Sequence, residues 1–213
     1  LRLPFPLQVF GDLPGQGFTT LLPLEAVGLT PFARYLRDLM AALDAEPRWI
    51  IGHSAGAALA AEYALTADSP PKGILCINAA FNPFGSLAAP LFSKTAKWFA
   101  RSTWLPRALA SPALRWRATG SMLADTGSAV DPLMSRCYDT LLSNPDHIAG
   151  TLRMMAGWDL PPLLASLPSL QMPVWLAAAE GDRTIPPDRS TSVVTDLPHA
   201  RSVRTPDLGH LAH

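Results

Sequence analysis

The sequence predicts an α/β fold: a mostly parallel sheet with helices on both faces and a helical cap inserted between two of its strands. Three observations lead there. Short apolar runs recur without polar alternation, as in strands buried on both sides. Segments of helical period separate them. One apolar run passes directly into an alanine-rich helix through GHSAG, Gly52 to Gly56. With 213 residues, 48% hydrophobic and only 16% charged, the chain has enough apolar surface for a single core.

The elements follow in order. Leu7 to Phe10 reads as a strand that ends in the turn formers GDLPGQG. Thr30 is placed to cap a helix, with Pro31 at its first position and Phe32, Leu36, Leu39, Met40 and Leu43 at helical spacing up to Pro47. Arg48 to Gly52 is a buried strand, Ala55 to Ala67 a helix, and Gly73 to Ala80 the next strand. Val174 to Ala179 is another apolar run, and the weak strand Ala200 to Thr205 runs into PDLGHLAH. Residues 82–172 separate two strands and are rich in Trp, Leu, Met, Ser and Pro. So long a structureless loop is rare inside a domain. Helices are therefore expected at Leu91 to Arg101, Pro132 to Ser143 and His147 to Ala156, giving a cap at 82–172 on a core of 1–81 and 173–213.

Composition narrows the function. Zero formal net charge argues against a nucleic-acid partner. Two cysteines, Cys76 and Cys137, are too few for a stapled secreted scaffold, so the expected location is cytoplasmic. There is no apolar run long enough to span a bilayer. The opening LRLPFPLQVF lacks the basic start and cleavage site of a signal peptide, and it begins with Leu1 rather than Met. No cofactor is expected, because no Cys and His spacing suggests zinc and no glycine-rich loop suggests a nucleotide.

GHSAG has the form of a nucleophile elbow, G-x-S-x-G, between a strand and a helix. Small residues at Gly52 and Gly56 allow strand and helix to meet at a tight turn that presents Ser54 above the sheet. A serine hydroxyl needs a base, and the base an orienting carboxylate. Asp182 and His210 both follow strands, and the order Ser54, Asp182, His210 is the one this type of elbow uses. Glu180, Asp188 and His213 are weaker rivals. His53 is expected to point away from the nucleophile, and His147 and His199 to lie on the surface.

These residues resemble the α/β-hydrolases over essentially the whole chain. The segments DLPGQGFTT, LPLEAVGLTPFARYL, GHSAGAALA, NAAFNPFG, APLFS, MMAGWDLPPLL and LGHLAH are similar, more narrowly, to the magnesium-chelatase accessory proteins of bacteriochlorophyll biosynthesis, the BchO type. The resemblance implies Ser54 as nucleophile, Asp182 as acid and His210 as base, with the Ala55 N–H as one oxyanion donor. The family's second donor lies in a His-Gly motif that has no counterpart upstream of Leu7. A final helix follows the catalytic histidine in the family, whereas here three residues remain after His210. The expectation is of an interior fragment with N-terminal strands and a C-terminal helix missing. Gln16 stands where the family usually has His, with slight structural consequence expected.

From Asn82 to Ala124 there are six basic residues, Lys94, Lys97, Arg101, Arg107, Arg115 and Arg117, and no acid. Trp98, Phe99, Trp104 and Trp116 are interleaved with them. Such a segment suits peripheral contact with a membrane surface. It equally suits a porphyrin with acidic arms, which the resemblance suggests, or a cap whose tryptophans pack inward while its bases are solvated. Trp98, Trp104, Met154, Met155 and Trp158 are candidate pocket residues. Two functions remain open: a serine hydrolase of a hydrophobic ester or acyl substrate, and a non-catalytic tetrapyrrole-binding accessory protein that assists magnesium chelatase.

Overall fold

The computed structural model describes residues 8–82 and 99–212. In chain order these form α1 (Leu29–Ala42), β1 (Trp49–His53), α2 (Ala55–Thr66), β2 (Gly73–Ile77), five helices, then β3 (Val174–Ala179), the single turn α8 (Pro187–Ser190) and β4 (Ala200–Thr205). The five are α3 (Leu105–Ala110), α4 (Pro112–Ala124), α5 (Pro132–Leu142), α6 (Pro145–Gly157) and α7 (Pro161–Ser166). Each of the five carries proline in its first turn. There the missing N–H costs no helix bond and the fixed φ is already helical, so the many prolines of the sequence mark helix starts. Asp131 and Asn144 add side-chain caps to α5 and α6, accepting from the N–H groups of Met134 and Asp146.

The four strands lie in the order β1-β2-β3-β4, and every pair is parallel. Parallel neighbours require crossovers, which α2, the five-helix segment and the α8 region provide. Ile74, Cys76, Val174 and Leu176 point to the helical side and pack with Phe32, Ala57, Ala61, Leu163 and Leu167. Of the two helical layers that the sequence predicts, the described residues supply this one. The opposite side of the sheet carries Trp49, Ile51, Trp175 and Val203, all exposed, with Ile51 at 67%.

Several boundaries differ from the sequence reading. Gln8 to Phe10 form no strand, and Phe10 is 90% exposed; a strand needs a ladder partner, and β1 pairs only with β2 among the described residues. Leu7 lies outside those residues. Thr30 is not the cap of α1, which begins at Leu29 after Gly28; its hydroxyl instead donates to Glu62 Oε1 on α2 at 2.6 Å. β2 ends at Ile77 because Asn78 turns out of the sheet with φ +47°. Most of the helix expected at Leu91 to Arg101 falls outside the described residues, whereas α3 and α4 form over a stretch with little helical period.

Candidate active site

β1 passes into α2 through Ser54, which adopts φ +53° and ψ −119°, a region costly for a residue with a Cβ. Gly52 makes the turn possible: a Cβ there would lie 2.3 Å from the Gly56 carbonyl oxygen and 2.7 Å from Ala57 Cα. Gly56 itself faces open space, so the close approach depends on Gly52 alone. The Ser54 N–H donates to the Ile77 carbonyl at 2.9 Å, and the Ala80 N–H donates to the Ser54 carbonyl at 3.1 Å. Both bonds hold the elbow against the end of β2. Ala55 opens α2, so its N–H has no partner within the helix.

His210 is brought between Ser54 and Asp182. Its Nδ1 lies 2.7 Å from Asp182 Oδ2, and its Nε2 3.1 Å from Ser54 Oγ. An ionised carboxylate only accepts, so the Nδ1 proton belongs to that bond and Nε2 is left to accept from the serine hydroxyl. Asp182 is buried, and its Oδ1 accepts the N–H groups of Thr184 and Ile185, each at 2.8 Å. The loop that follows β3 therefore fixes Oδ1 and leaves Oδ2 to His210.

The supports of this arrangement include residues the sequence reading passed over. The His210 N–H donates to the Thr126 carbonyl and the Leu211 N–H to Ser128 Oγ, both at 2.8 Å. Between them Gly127, at φ +71°, threads past Gly181: a Cβ there would lie 2.1 Å from the Gly181 carbonyl oxygen. The turn after α4 thus locks together the loops that carry Asp182 and His210. DTGS is a legible turn signal, but nothing in it names its contact. Asn78 is fully buried at the end of β2 and reaches the carbonyls of Gly209 and His210. His53 is also engaged, with Nε2 2.7 Å from the His210 carbonyl oxygen.

The remaining candidates are placed as follows. Glu180 and Asp188 are exposed, and Asp188 pairs with Arg204. His199 is exposed; His213 lies outside the described residues. His147 is half-buried rather than free on the surface, and its Nδ1 accepts the Gly17 N–H at 3.0 Å. Gln16 Oε1 accepts from Thr151 Oγ1 at 3.1 Å, while its Nε2 is buried without a partner. Trp98, Lys94 and Lys97 lie outside the described residues. Trp104 is 62% and Trp116 80% exposed, and Arg115 pairs with Asp139 at 2.8 Å. Met154 and Trp158 pack on the core, Trp158 against Phe32, and Met155 is half-buried. A cleft of about 550 Å³ runs between the start of α1, α2 and α7, lined among others by Thr30, Glu62, Asp159 and Ser166. None of Trp104, Met154, Met155 and Trp158 lines it. Among the described residues no helix is long and apolar enough to cross a membrane.

The comparisons with known proteins agree with the topology. The model of the alpha/beta hydrolase fold family matches residues 9–213. The magnesium-chelatase 30 kDa subunit of Rhodobacter capsulatus is 37% identical over 202 residues, covering 95% of this chain and 70% of that protein. A 2-hydroxy-6-oxo-6-phenylhexa-2,4-dienoate hydrolase of Burkholderia cepacia is 22% identical, covering 96% of this chain and 70% of its own. Among solved structures, an esterase from Exiguobacterium antarcticum superposes with a TM-score of 0.71 at 15% identity, covering 94% of this chain and 73% of that one. A strained serine between a parallel strand and its helix, set in a chain this similar along nearly its whole length, has one structural home: the chain belongs to the α/β-hydrolase family and is a relative of the magnesium-chelatase 30 kDa subunit.

Proposed function

We propose that the chain is a serine hydrolase that cleaves an ester or similar acyl bond of a hydrophobic substrate through an acyl-enzyme. The observation that carries the reading is the unbroken path from Asp182 Oδ2 through the His210 ring to Ser54 Oγ, with steps of 2.7 and 3.1 Å. A module that only binds has no physical need for all three. In the reaction Ser54 Oγ attacks the acyl carbon as His210 Nε2 takes its proton, and Asp182 steadies the imidazolium that forms. The Ala55 N–H, at the positive end of α2, stabilises the oxyanion. The proton on Nε2 then passes to the departing alcohol, and a water activated in the same way releases the acid.

Residues 82–172 act in this reading as a cap over Ser54, supported by the contacts of the Thr126 to Ser128 turn with the His210 loop. Met154, Met155 and Trp158 supply apolar surface, and the exposed Trp104 with its neighbouring bases suits a peripheral membrane contact of a cytoplasmic protein. The name of the Rhodobacter relative favours a substrate in the tetrapyrrole branch that leads to bacteriochlorophyll, and association with magnesium chelatase. The same name supports the second reading, a protein that holds a porphyrin for the chelatase without cleaving it. Labelling by a fluorophosphonate probe separates the two. A hydrolase is labelled stoichiometrically at Ser54, and Ser54→Ala abolishes it. An unlabelled, folded protein that binds porphyrin would replace the first reading with the second.

A further inference from the structure

We infer that His53 and Asn78 are a positioning pair that sets the His210 imidazole through its backbone carbonyl; their catalytic meaning rests on the hydrolase reading, their geometry does not. That one oxygen receives two side-chain bonds, from His53 Nε2 at 2.7 Å and from Asn78 Nδ2 at 2.8 Å. A carbonyl only accepts, so His53 carries a proton on Nε2. The orientation of the Asn78 amide is fixed in the same way. Its Oδ1 accepts the Ala179 N–H at 2.8 Å, while Nδ2 also reaches the Gly209 carbonyl at 3.1 Å; a flipped amide would set donor against donor.

The Asn78 side chain therefore joins the end of β3, which leads to Asp182, to the loop that carries His210. It does so from a site with 0% exposure and a backbone φ of +47°, a conformation asparagine adopts more readily than most residues. A polar group buried this deeply is retained at a cost unless its bonds are made, and here every bond goes to the segments that position the base and its acid. His53 reaches the same carbonyl from the last position of β1, with its ring 4.8 Å from that of His210. Serine and its base thus have a shared reference: His53 is the residue before Ser54. The His210 to Ser54 separation of 3.1 Å leaves little slack, since it already lies near the upper end of the hydrogen-bond range, about 3.2 Å.

The test uses the full-length protein and the variants His53→Gln, which keeps an N–H donor, His53→Phe, which keeps a ring without one, and Asn78→Asp, which keeps the acceptor for Ala179 but loses both donors. Two quantities are read: the rate of fluorophosphonate labelling at Ser54, and the proton resonance of the His210 Nδ1–H shared with Asp182, assigned by its loss in Asp182→Ala. A displacement near 1 Å at a base costs about 100-fold, so Asn78→Asp should label about 100-fold more slowly, His53→Phe about 10-fold, and His53→Gln within about 3-fold of the parent. The resonance should shift or broaden in Asn78→Asp and His53→Phe and stay in place in His53→Gln. Folded His53→Phe and Asn78→Asp with parental labelling and an unmoved resonance would overturn the inference, and so would equal losses in His53→Gln and His53→Phe, which mark ring packing alone. Should Asn78→Asp not fold, the two His53 variants decide. A parent that never labels, but whose resonance responds as expected, sinks the hydrolase reading and leaves the positioning pair standing.

Discussion

At Asp182 the chemistry turns on one proton. If Nδ1–H is held by the carboxylate, Asp182→Asn offers an amide in its place and stabilises the wrong tautomer, with Nε2 protonated and unable to accept from Ser54. Hydrolysis of an activated ester should fall by about 10⁴-fold, with thermal unfolding nearly unchanged, since the amide oxygen still accepts from Thr184 and Ile185. A steady-state assay beside a melting curve checks both halves. The two cysteines offer a second test at this scale. Cys76 lies in β2 under the helices, and burial pushes its thiol up to about 12, whereas Cys137 is exposed on α5. Iodoacetamide at neutral pH should therefore modify one cysteine in the native protein and two after denaturation, as mass spectrometry would show. Two modified cysteines in the native state would mean that β2 opens locally.

The junction between the N-terminal loop and α6 shows how much an element depends on chemistry the sequence hides. Gly15 and Gly150 meet backbone to backbone, where a Cβ on Gly150 would overlap the Gly15 carbonyl, and His147 Nδ1 accepts the Gly17 N–H while Asn144 donates to the Gly17 carbonyl. Burial lowers the pKa of His147, and the nearby Asp12 raises it by less. The sign follows: a histidine held below its unfolded value near 6.5 stabilises the fold above that pH, and the contribution disappears as pH falls through the lowered value. Melting temperature should drop as pH falls below about 6.5, and His147→Gln, whose Oε1 can accept the same N–H without titrating, should flatten that drop. The strands Val174–Ala179 and Ala200–Thr205 and the order of Ser54, Asp182 and His210 were legible because apolar runs and the elbow's glycine leave local signatures. His147, Asn78 and the Thr126 turn were not, because their partners are remote in sequence: 130 residues separate Gly17 from His147. Helices α3 and α4 escaped periodicity for a different reason: their starts are written in proline positions rather than in an apolar stripe.

At the scale of the molecule, the described residues cover the sheet unequally. Register places Trp49 and Ile51 of β1, Leu75 of β2, Trp175 and Ala177 of β3, and Val203 of β4 on one side, and four of these are exposed large apolar residues. Arg201, stacked over Trp175 with its guanidinium carbon 5.7 Å from the ring centroid, is the one charge of β4 that register places on this surface. Contiguous apolar surface of this kind is uncommon on soluble monomers. The 213-residue chain by itself should therefore self-associate with rising concentration through this side, seen as mass increasing in light scattering. Ile51→Lys with Val203→Lys places two like charges there, away from the core side chains Ile74, Cys76 and Leu176. The double variant should remain monomeric at concentrations where the parent does not, with unchanged helix content and an unchanged rate of Ser54 labelling per folded molecule. Association that persists undiminished in the double variant would assign it to another surface, such as the exposed Trp104 and Trp116 of the inserted helices.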